Sequence, residues 1–350
     1  MGILTLLVFV LILGVIVLVH ELGHFLWAKK FGVFIHEFSI GMGPVIYSRK
    51  GKKDGILYNI RALPIGGFVA MAGEVYEDDK KLPKDRFLCN KPVWQRAIVM
   101  AAGVINNFIM ALALLLVISF VWGSNSLTPK IEAVEENYPM AEAGIVKGDK
   151  IIAINNYKVN TWDESLIILN YKNKNDYYEF RIEHENGEVE NYKITPRIVK
   201  NEDGTESTVF GVHINQEETF GLWNKIKFAF EKFGTTIKSM WLTIIGLVSG
   251  KISVDALSGP VGIYGVVGDS ISYGLYSVIF LIAYLSINVG VINILPFPAF
   301  DGGRILFLLI EKIKGSPVNQ KFENICHTIG FILLMILILY VTINDIIKLF

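Results

Sequence analysis

The chain has 350 residues, 52% of them hydrophobic and 19% charged, with a mean hydropathy of +0.45. That is too apolar for an ordinary soluble domain and points to several membrane crossings. Lysine plus arginine (33) balance aspartate plus glutamate (33), so the charge gives no reason to expect nucleic acid or an acidic partner.

The first apolar run extends from Ile3 to Trp27. No basic residue precedes it and no small-x-small cleavage site follows, so it is expected to be a retained anchor rather than a signal peptide. Gly2 is not a myristoylation site, because Leu6 stands where Ser or Thr is needed. Near the end of the run lies His20-Glu21-Leu22-Gly23-His24. On a helix, histidines at i and i+4 share a face and can bind one zinc ion, with the glutamate beside the metal's water. Ionisable groups are costly inside a bilayer, so three of them in a membrane-grade segment mark a functional site. A polar helix end snorkelling out of lipid is the plain alternative.

Residues 31–74 form a stretch in which Gly32, Gly41, Gly43, Gly55, Gly66 and Gly67 punctuate β-prone runs such as Ile56 to Ile60 and Phe68 to Met71. Backbone that is neither helix nor barrel can lie at membrane depth only if buried in protein or lining a wet cavity. This reads as a re-entrant β structure beside the zinc motif, with a cytosolic hairpin as the alternative. A loop over 75–96 carries Lys80, Lys81, Lys84, Arg86, Lys91 and Arg96, and leads into a second span within 97–122.

Residues 128–199 read as a compact α+β domain. Ile131 to Val134 is a predicted strand and Met140 to Ala143 a short helix, followed by the Gly148-Asp149 turn and a strand from Lys150 to Asn155. Strands Tyr178 to Glu183 and Val189 to Thr195 flank an Asn186-Gly187 hairpin turn. The pattern resembles a PDZ domain, a module that captures extended peptides at a sheet edge. Asn155-Asn156 replaces the usual Asn-Gly there, which asparagine tolerates at positive φ. A β-rich domain without a ligand is the alternative. Residues 200–274 then hold a linker and an interfacial amphipathic helix ending near Val248, not a fifth crossing.

A third span lies within 275–310 and a fourth within 325–347. No Lys or Arg precedes the first span, whereas Lys29 and Lys30 follow it, and Arg304, Lys312, Lys314 and Lys321 lie between the third and fourth. The positive-inside rule makes these connections cytoplasmic and puts both termini and the PDZ-like domain outside. The expected fold is a multi-span α-helical membrane protein of four transmembrane helices, with a re-entrant β structure and an inserted extracytoplasmic PDZ-like domain.

A catalytic zinc site needs a third protein ligand and an open position. The extended H-E-x-x-H-x-x-G-x-x-H pattern is absent, since Trp27 stands where glycine would be. Asp301 is the strongest candidate. Pro296 and Pro298 end the third helix before it, and Gly302 and Gly303 after it permit close backbone packing. The first and third spans run in the same direction, so His20, His24 and Asp301 reach a similar cytoplasmic-side depth. His36, Glu37, His184, His213 and His327 read as surface or packing residues, and Cys89 and Cys326 as reduced bystanders.

Taken in order, these motifs resemble the bacterial site-2 protease family, within it the regulator of sigma-E protease group of intramembrane zinc metalloproteases. Also similar are Phe38-Ser-Ile-Gly41-Met-Gly43-Pro44, Gly66-Gly67-Phe68 through Gly73-Glu74, Lys91-Pro92-Val-Trp94-Gln-Arg96, Ser258-Gly259-Pro260-Val261-Gly262-Ile263 and Asn293 through Gly303. Two departures are Ala102-Gly103-Val104, where the family usually has Pro after Gly, and Phe300 in place of Leu. The first implies altered geometry at a helix start. The resemblance implies peptide-bond hydrolysis at zinc in a bacterial cytoplasmic membrane, with Glu21 as general base. It implies single-span membrane substrates such as anti-sigma factors cut beforehand outside the membrane, or remnant signal peptides. The PDZ-like domain would filter these by size or sense a new carboxyl terminus. It also implies that Asn293 and Pro296, with Asn288, clamp the substrate strand; from the residues alone, Asn288 and Asn293 fit interhelical hydrogen bonds nearly as well. Two rivals remain, a zinc transporter and a PDZ-bearing scaffold. The first would need polar residues across the second and fourth spans, and the second leaves Glu21 between two histidines unexplained.

Overall fold

The structure, a computed structural model, describes residues 2–52, 54–73, 82–173, 175–200, 206–214 and 217–348. Glu74 and the lysines at 80 and 81 fall outside these residues. In chain order, α1 is Ile3–Lys30, β1 Ile35–Lys50, β2 Leu57–Met71 and α2 Val93–Trp122. There follow β3 (Ser124–Asn125), β4 (Ile131–Val134), α3 (Pro139–Glu142), β5 (Lys150–Ile154), β6 (Tyr157–Lys158), α4 (Trp162–Leu169), β7 (Tyr178–Glu183) and β8 (Val189–Ile194). The remaining elements are β9 (Arg197–Lys200), β10 (Glu206–Val209), β11 (Val212–Ile214), β12 (Glu218–Thr219), α5 (Leu222–Val248), α6 (Pro260–Ser272), α7 (Leu275–Ile294), α8 (Asp301–Lys314) and α9 (Gln320–Ile347). The chain divides into two compact units, residues 1–114 with 257–350, and residues 115–256.

Among the described residues, α1, α2, α7 and α9 are long and apolar enough to cross a membrane. Their burial agrees with a lipid setting. On α1, Ile12, Ile16, His20 and His24 face inward at four-residue spacing, while Leu4, Leu7, Leu11, Leu22 and Leu26 are exposed. Aliphatic surface on that scale belongs against hydrocarbon, not water. Inward, Ile12 and Ile16 pack with Val267 of α6 and Leu281 of α7. Helix α6 lies in the stretch expected to be a linker. Gly259 precedes its first residue, Pro260, and the Gly262 N–H donates to the buried Asp345 carboxylate of α9 at 2.8 Å. Three glycines weaken its intrinsic propensity, so packing on α1 holds it in place.

Strands β1 and β2 curl on one another. Residues 35–40 face 67–71 on one side and 57–60 on the other, and 47–50 face 57–60. Gly41, Gly43 and Gly66 sit at φ +86°, +85° and +83°, where only glycine turns so sharply without strain. One end of this sheet packs on α1 through Phe25, Ala28, Phe38 and Val69.

The second unit is built on the sheet β6-β5-β7-β8. Ile131, Met140, Ile151, Ile154, Phe180 and Ile182 form its core, each at most 1% exposed. Phe210 and β11, which pairs with β4, join that core although they lie beyond residue 199. Asn155 and Asn156 take φ +47° and +67°, the conformation expected of them. Helix α5 lies on α4, with Lys238 paired to the buried Glu164 and the Tyr171 hydroxyl donating to the Leu242 carbonyl.

Candidate metal centre

His20 and His24 lie one turn apart on α1, and both are buried. The chain then brings Asp301 to them from far along the sequence. Helix α7 stops at Ile294; Pro296 and Pro298 carry no N–H and cannot continue its ladder. The chain turns through Leu295 to Phe300, and Asp301 becomes the first residue of α8. A carboxylate there is favoured by the unpaired N–H groups of the new helix. Gly302 and Gly303 fold directly against the carbonyls of Ile294, Leu295 and Phe297, where a side chain has no room.

The three donor atoms converge. His20 Nε2 is 3.1 Å and His24 Nε2 3.3 Å from Asp301 Oδ2, and the two nitrogens are 3.2 Å apart. Ligands at about 2.0–2.1 Å on a tetrahedral zinc stand roughly 3.3 Å from one another. Each observed edge falls within about 0.2 Å of that. Asp301 Oδ2 is buried and has no hydrogen-bond donor among the described residues, which is the condition of a carboxylate awaiting a cation.

Ring orientation comes from α2. His24 Nδ1–H donates to the Val99 carbonyl at 2.8 Å, so Nε2 of the neutral ring carries a bare lone pair toward the centre. His20 Nδ1 is 3.3 Å from the Asn107 amide. With that amide turned so that Oδ1 accepts from Nδ1–H, His20 also presents a bare Nε2, and an Oδ1 otherwise buried without a partner gains one. Ser286 of α7 in turn donates to the Asn107 carbonyl at 2.9 Å. Gly103 lies against the donor atoms: a Cβ there would stand 2.6 Å from His24 Nε2 and 2.7 Å from His20 Nε2. The residues therefore fit a zinc ion and leave its cradle clear. Residues 102–104 lie inside α2, which starts at Val93, so the departure at Val104 alters no helix start.

Glu21 stands on the sheet side of α1. Gly67 of β2 lies against it, with a Cβ position 3.6 Å from Glu21 Cγ, and the Val69 backbone reaches its carboxylate. The substrate-contact candidates have separate environments. Asn293 donates to the Val289 carbonyl of its own helix at 3.0 Å, Pro296 is exposed in the turn, and Asn288 Oδ1 is buried with no hydrogen-bond partner among the described residues.

The other histidines lie outside the trio. His184 Nδ1 bonds Asp149 at 2.9 Å and His213 bonds Glu135 at 2.9 Å, both in the second unit. His327 is more than packing, because its Nδ1 accepts the Ala299 N–H two residues before Asp301. Glu37 pairs with Arg61 inside the β1–β2 sheet. Cys89 and Cys326 are free. Val99, Gly103, Asn107 and His327 were not singled out as site residues from the sequence. Of these, only Asn107 carries a local signal, as an amide inside a membrane-grade run.

Comparison with known proteins gives the family. The chain is 33% identical to the zinc metalloprotease RasP of Bacillus licheniformis over 99% of each sequence. It is 32% identical to the regulator of sigma-W protease RasP of Bacillus subtilis, again over 99% of each. The family model of Peptidase family M50 matches residues 8–337. With relatives aligned from end to end, the chain belongs to peptidase family M50 and is a zinc metalloendopeptidase of the site-2 protease type.

Proposed function

We propose that this chain hydrolyses peptide bonds within or near the transmembrane segments of single-span membrane proteins, with His20, His24 and Asp301 as the zinc ligands and Glu21 as the proton carrier. One observation carries the reading: two buried imidazole nitrogens and a buried carboxylate oxygen meet at 3.1–3.3 Å.

Zinc, when bound, supplies a Lewis acid that polarises a carbonyl and brings the ionisation of a water near neutral pH. Glu21 takes a proton from the attacking water and passes it to the amide nitrogen that leaves as an amine. His20 and His24 must stay neutral to hold the metal; the Val99 carbonyl keeps the remaining proton of His24 on Nδ1, and Asn107 does the same for His20 with its amide turned to present Oδ1. Burial of the trio keeps bulk water from competing for those ligand atoms.

A substrate helix hides its carbonyls in its own hydrogen bonds and must unwind before attack. Strand addition to residues 67–71 of β2 would give the freed groups partners beside Glu21, and the sheet is then a re-entrant structure at membrane depth. Asn288, with its unpartnered Oδ1, Asn293 and Pro296 would hold the same strand. The second unit is PDZ-like and extracytoplasmic, as are both termini, and it filters substrates by size or reads a carboxyl terminus. The site lies toward the cytoplasmic side of a bacterial inner membrane. Substrates of this class include anti-sigma factors already cut outside the membrane and remnant signal peptides.

The test is cleavage of a membrane-embedded single-span substrate by the purified chain in lipid. Cleavage that stops with a chelator, returns with zinc and is lost in Glu21→Gln supports the reading. Chelator-resistant cleavage, or full turnover by Glu21→Gln, refutes it.

A further inference from the structure

Asp301 reaches the histidine pair through a short turn, and what holds that turn decides where the carboxylate points. Within residues 295–300, most N–H groups close locally. Leu295 donates to Ile292, Phe297 to Leu295 and Phe300 to Phe297, while Pro296 and Pro298 have nothing to donate. Ala299 differs in two ways. Its φ is +90°, a conformation that an L side chain rarely adopts. Its N–H leaves the turn altogether and donates to Nδ1 of His327, on α9, at 3.1 Å.

We propose that His327 is a positioning residue for Asp301: by accepting the Ala299 N–H it holds the turn between α7 and α8 in the shape that presents the carboxylate to His20 and His24. This rests on the reading of Asp301 as a zinc ligand. A second contact of α9 acts at the same place. Gly330, nearly one turn after His327, packs directly on the Pro298 carbonyl, and a Cβ there would meet the Pro298 carbonyl carbon at 2.6 Å. The imidazole is itself confined. Phe307 of α8 lies 5.7 Å away, ring centre to ring centre. Because Nδ1 accepts, the neutral ring carries its proton on Nε2, which faces Glu323 at 3.8 Å. Without the tether, Ala299 relaxes toward negative φ, and the residues after it swing with the backbone. Zinc ligation tolerates only about 0.2 Å of misplacement, so the loss appears first in metal affinity. Helix α9 thus supplies no ligand but sets the position of one.

The experiment measures zinc affinity of the full chain in detergent micelles by competition with a chromophoric chelator. His327→Leu removes the acceptor and is expected to weaken zinc binding about tenfold or more. His327→Asn puts a carbonyl oxygen the same number of bonds from the backbone as Nδ1, and is expected to bind within about threefold of the parent. A merely structural histidine would not distinguish the two. Ala299→Gly supplies a second route, since glycine takes φ +90° without strain; in that background His327→Leu should cost less affinity than in the parent. The proposal is overturned if His327→Leu keeps parental affinity, if His327→Asn is no better than His327→Leu, or if the loss is equal in both Ala299 backgrounds. Asp301→Ala is measured alongside. Should it bind zinc like the parent, the ligand assignment itself fails; should it lose zinc while His327→Leu does not, only the tether fails.

Discussion

Gly103→Ala separates the metal site from the fold, because the gain in helix propensity offsets the crowding in the metal-free chain but not at the metal. In the middle of a helix, replacing glycine with alanine favours the helical state by about 0.8–1 kcal/mol. At this position the added methyl would stand 2.6 Å from His24 Nε2 and 2.7 Å from His20 Nε2. Ordinary carbon–nitrogen contact needs roughly 3.4 Å or more, so both rings must retreat by about 0.7 Å. Ligand distances at zinc tolerate about 0.2 Å, so the retreat alone takes both nitrogens out of bonding range. Loss of even part of two ligand bonds is expected to weaken zinc binding at least about 100-fold, or roughly 2.7 kcal/mol. The rings cannot slide freely to compensate, since each is tied through Nδ1 to the same helix that carries Gly103. The assay pairs zinc content after dialysis against a weak chelator with thermal unfolding of the metal-free protein in detergent. Zinc should be lost while unfolding of the metal-free form stays within a few degrees of the parent. A Gly103→Ala protein that retains stoichiometric zinc and cleavage would refute the placement of the ion between these rings.

Glu21→Gln should keep zinc at parental affinity and lower turnover by about 10²–10⁴, read by metal analysis beside substrate cleavage; lost zinc would instead make Glu21 a structural member of the site. Zinc affinity should fall under acidic conditions, because protons compete with the metal for the ligand atoms, and a flat profile from about pH 5 to 8 would count against imidazole ligation. Arg96 and Glu311 form a two-pronged ion pair, each side chain only 14% exposed, that ties α2 to α8. Arg96→Ala strands a half-buried carboxylate and should cost about 1–3 kcal/mol of unfolding free energy, with Glu311→Met restoring most of it; a change below about 0.5 kcal/mol would mean the pair is solvated. A trapped substrate should crosslink to probes at residues 67–71, and labelling confined to residues 115–256 would remove the case for strand addition.

Much of the site was legible because its chemistry is local. The histidines declare themselves by four-residue spacing in an apolar run, and Asp301 by the prolines before it and glycines after it. The four helices long and apolar enough to cross a membrane were legible as well, since length and hydropathy are properties of a continuous segment. Helix α6 was not: Gly262, Gly265 and Gly268 dilute its local signal, and its stability comes from packing on Ile12 and Ile16. The sheet at residues 35–71 was legible as β-prone, yet not its curl, which needs the pairing of 35–40 with two different parts of β2. The groups that aim the ligands were hidden for a further reason. Val99 contributes a backbone carbonyl, which every residue type possesses, and it lies 75 positions from His24. Gly103 contributes an absence of atoms, and glycines within membrane helices are common.

These hidden groups share a logic that the ligands alone do not reveal. Each element that carries a proposed ligand is aimed by a helix that contributes none among the described residues. Helix α2 fixes both imidazoles of α1 through Val99 and Asn107, and α9 fixes the turn before Asp301 through His327 and Gly330. In the tautomers that can take a metal, both Nε2 atoms and the carboxylate present lone pairs to one another, so contacts outside the trio help to hold that arrangement. Its spacing of 3.1–3.3 Å is thus supported from outside by contacts that do not involve the metal. Substitutions on α2 and α9 should then act on metal affinity more than on the unfolding of the metal-free chain, whereas substitutions along Ile12, Ile16 and Val267 should do the reverse.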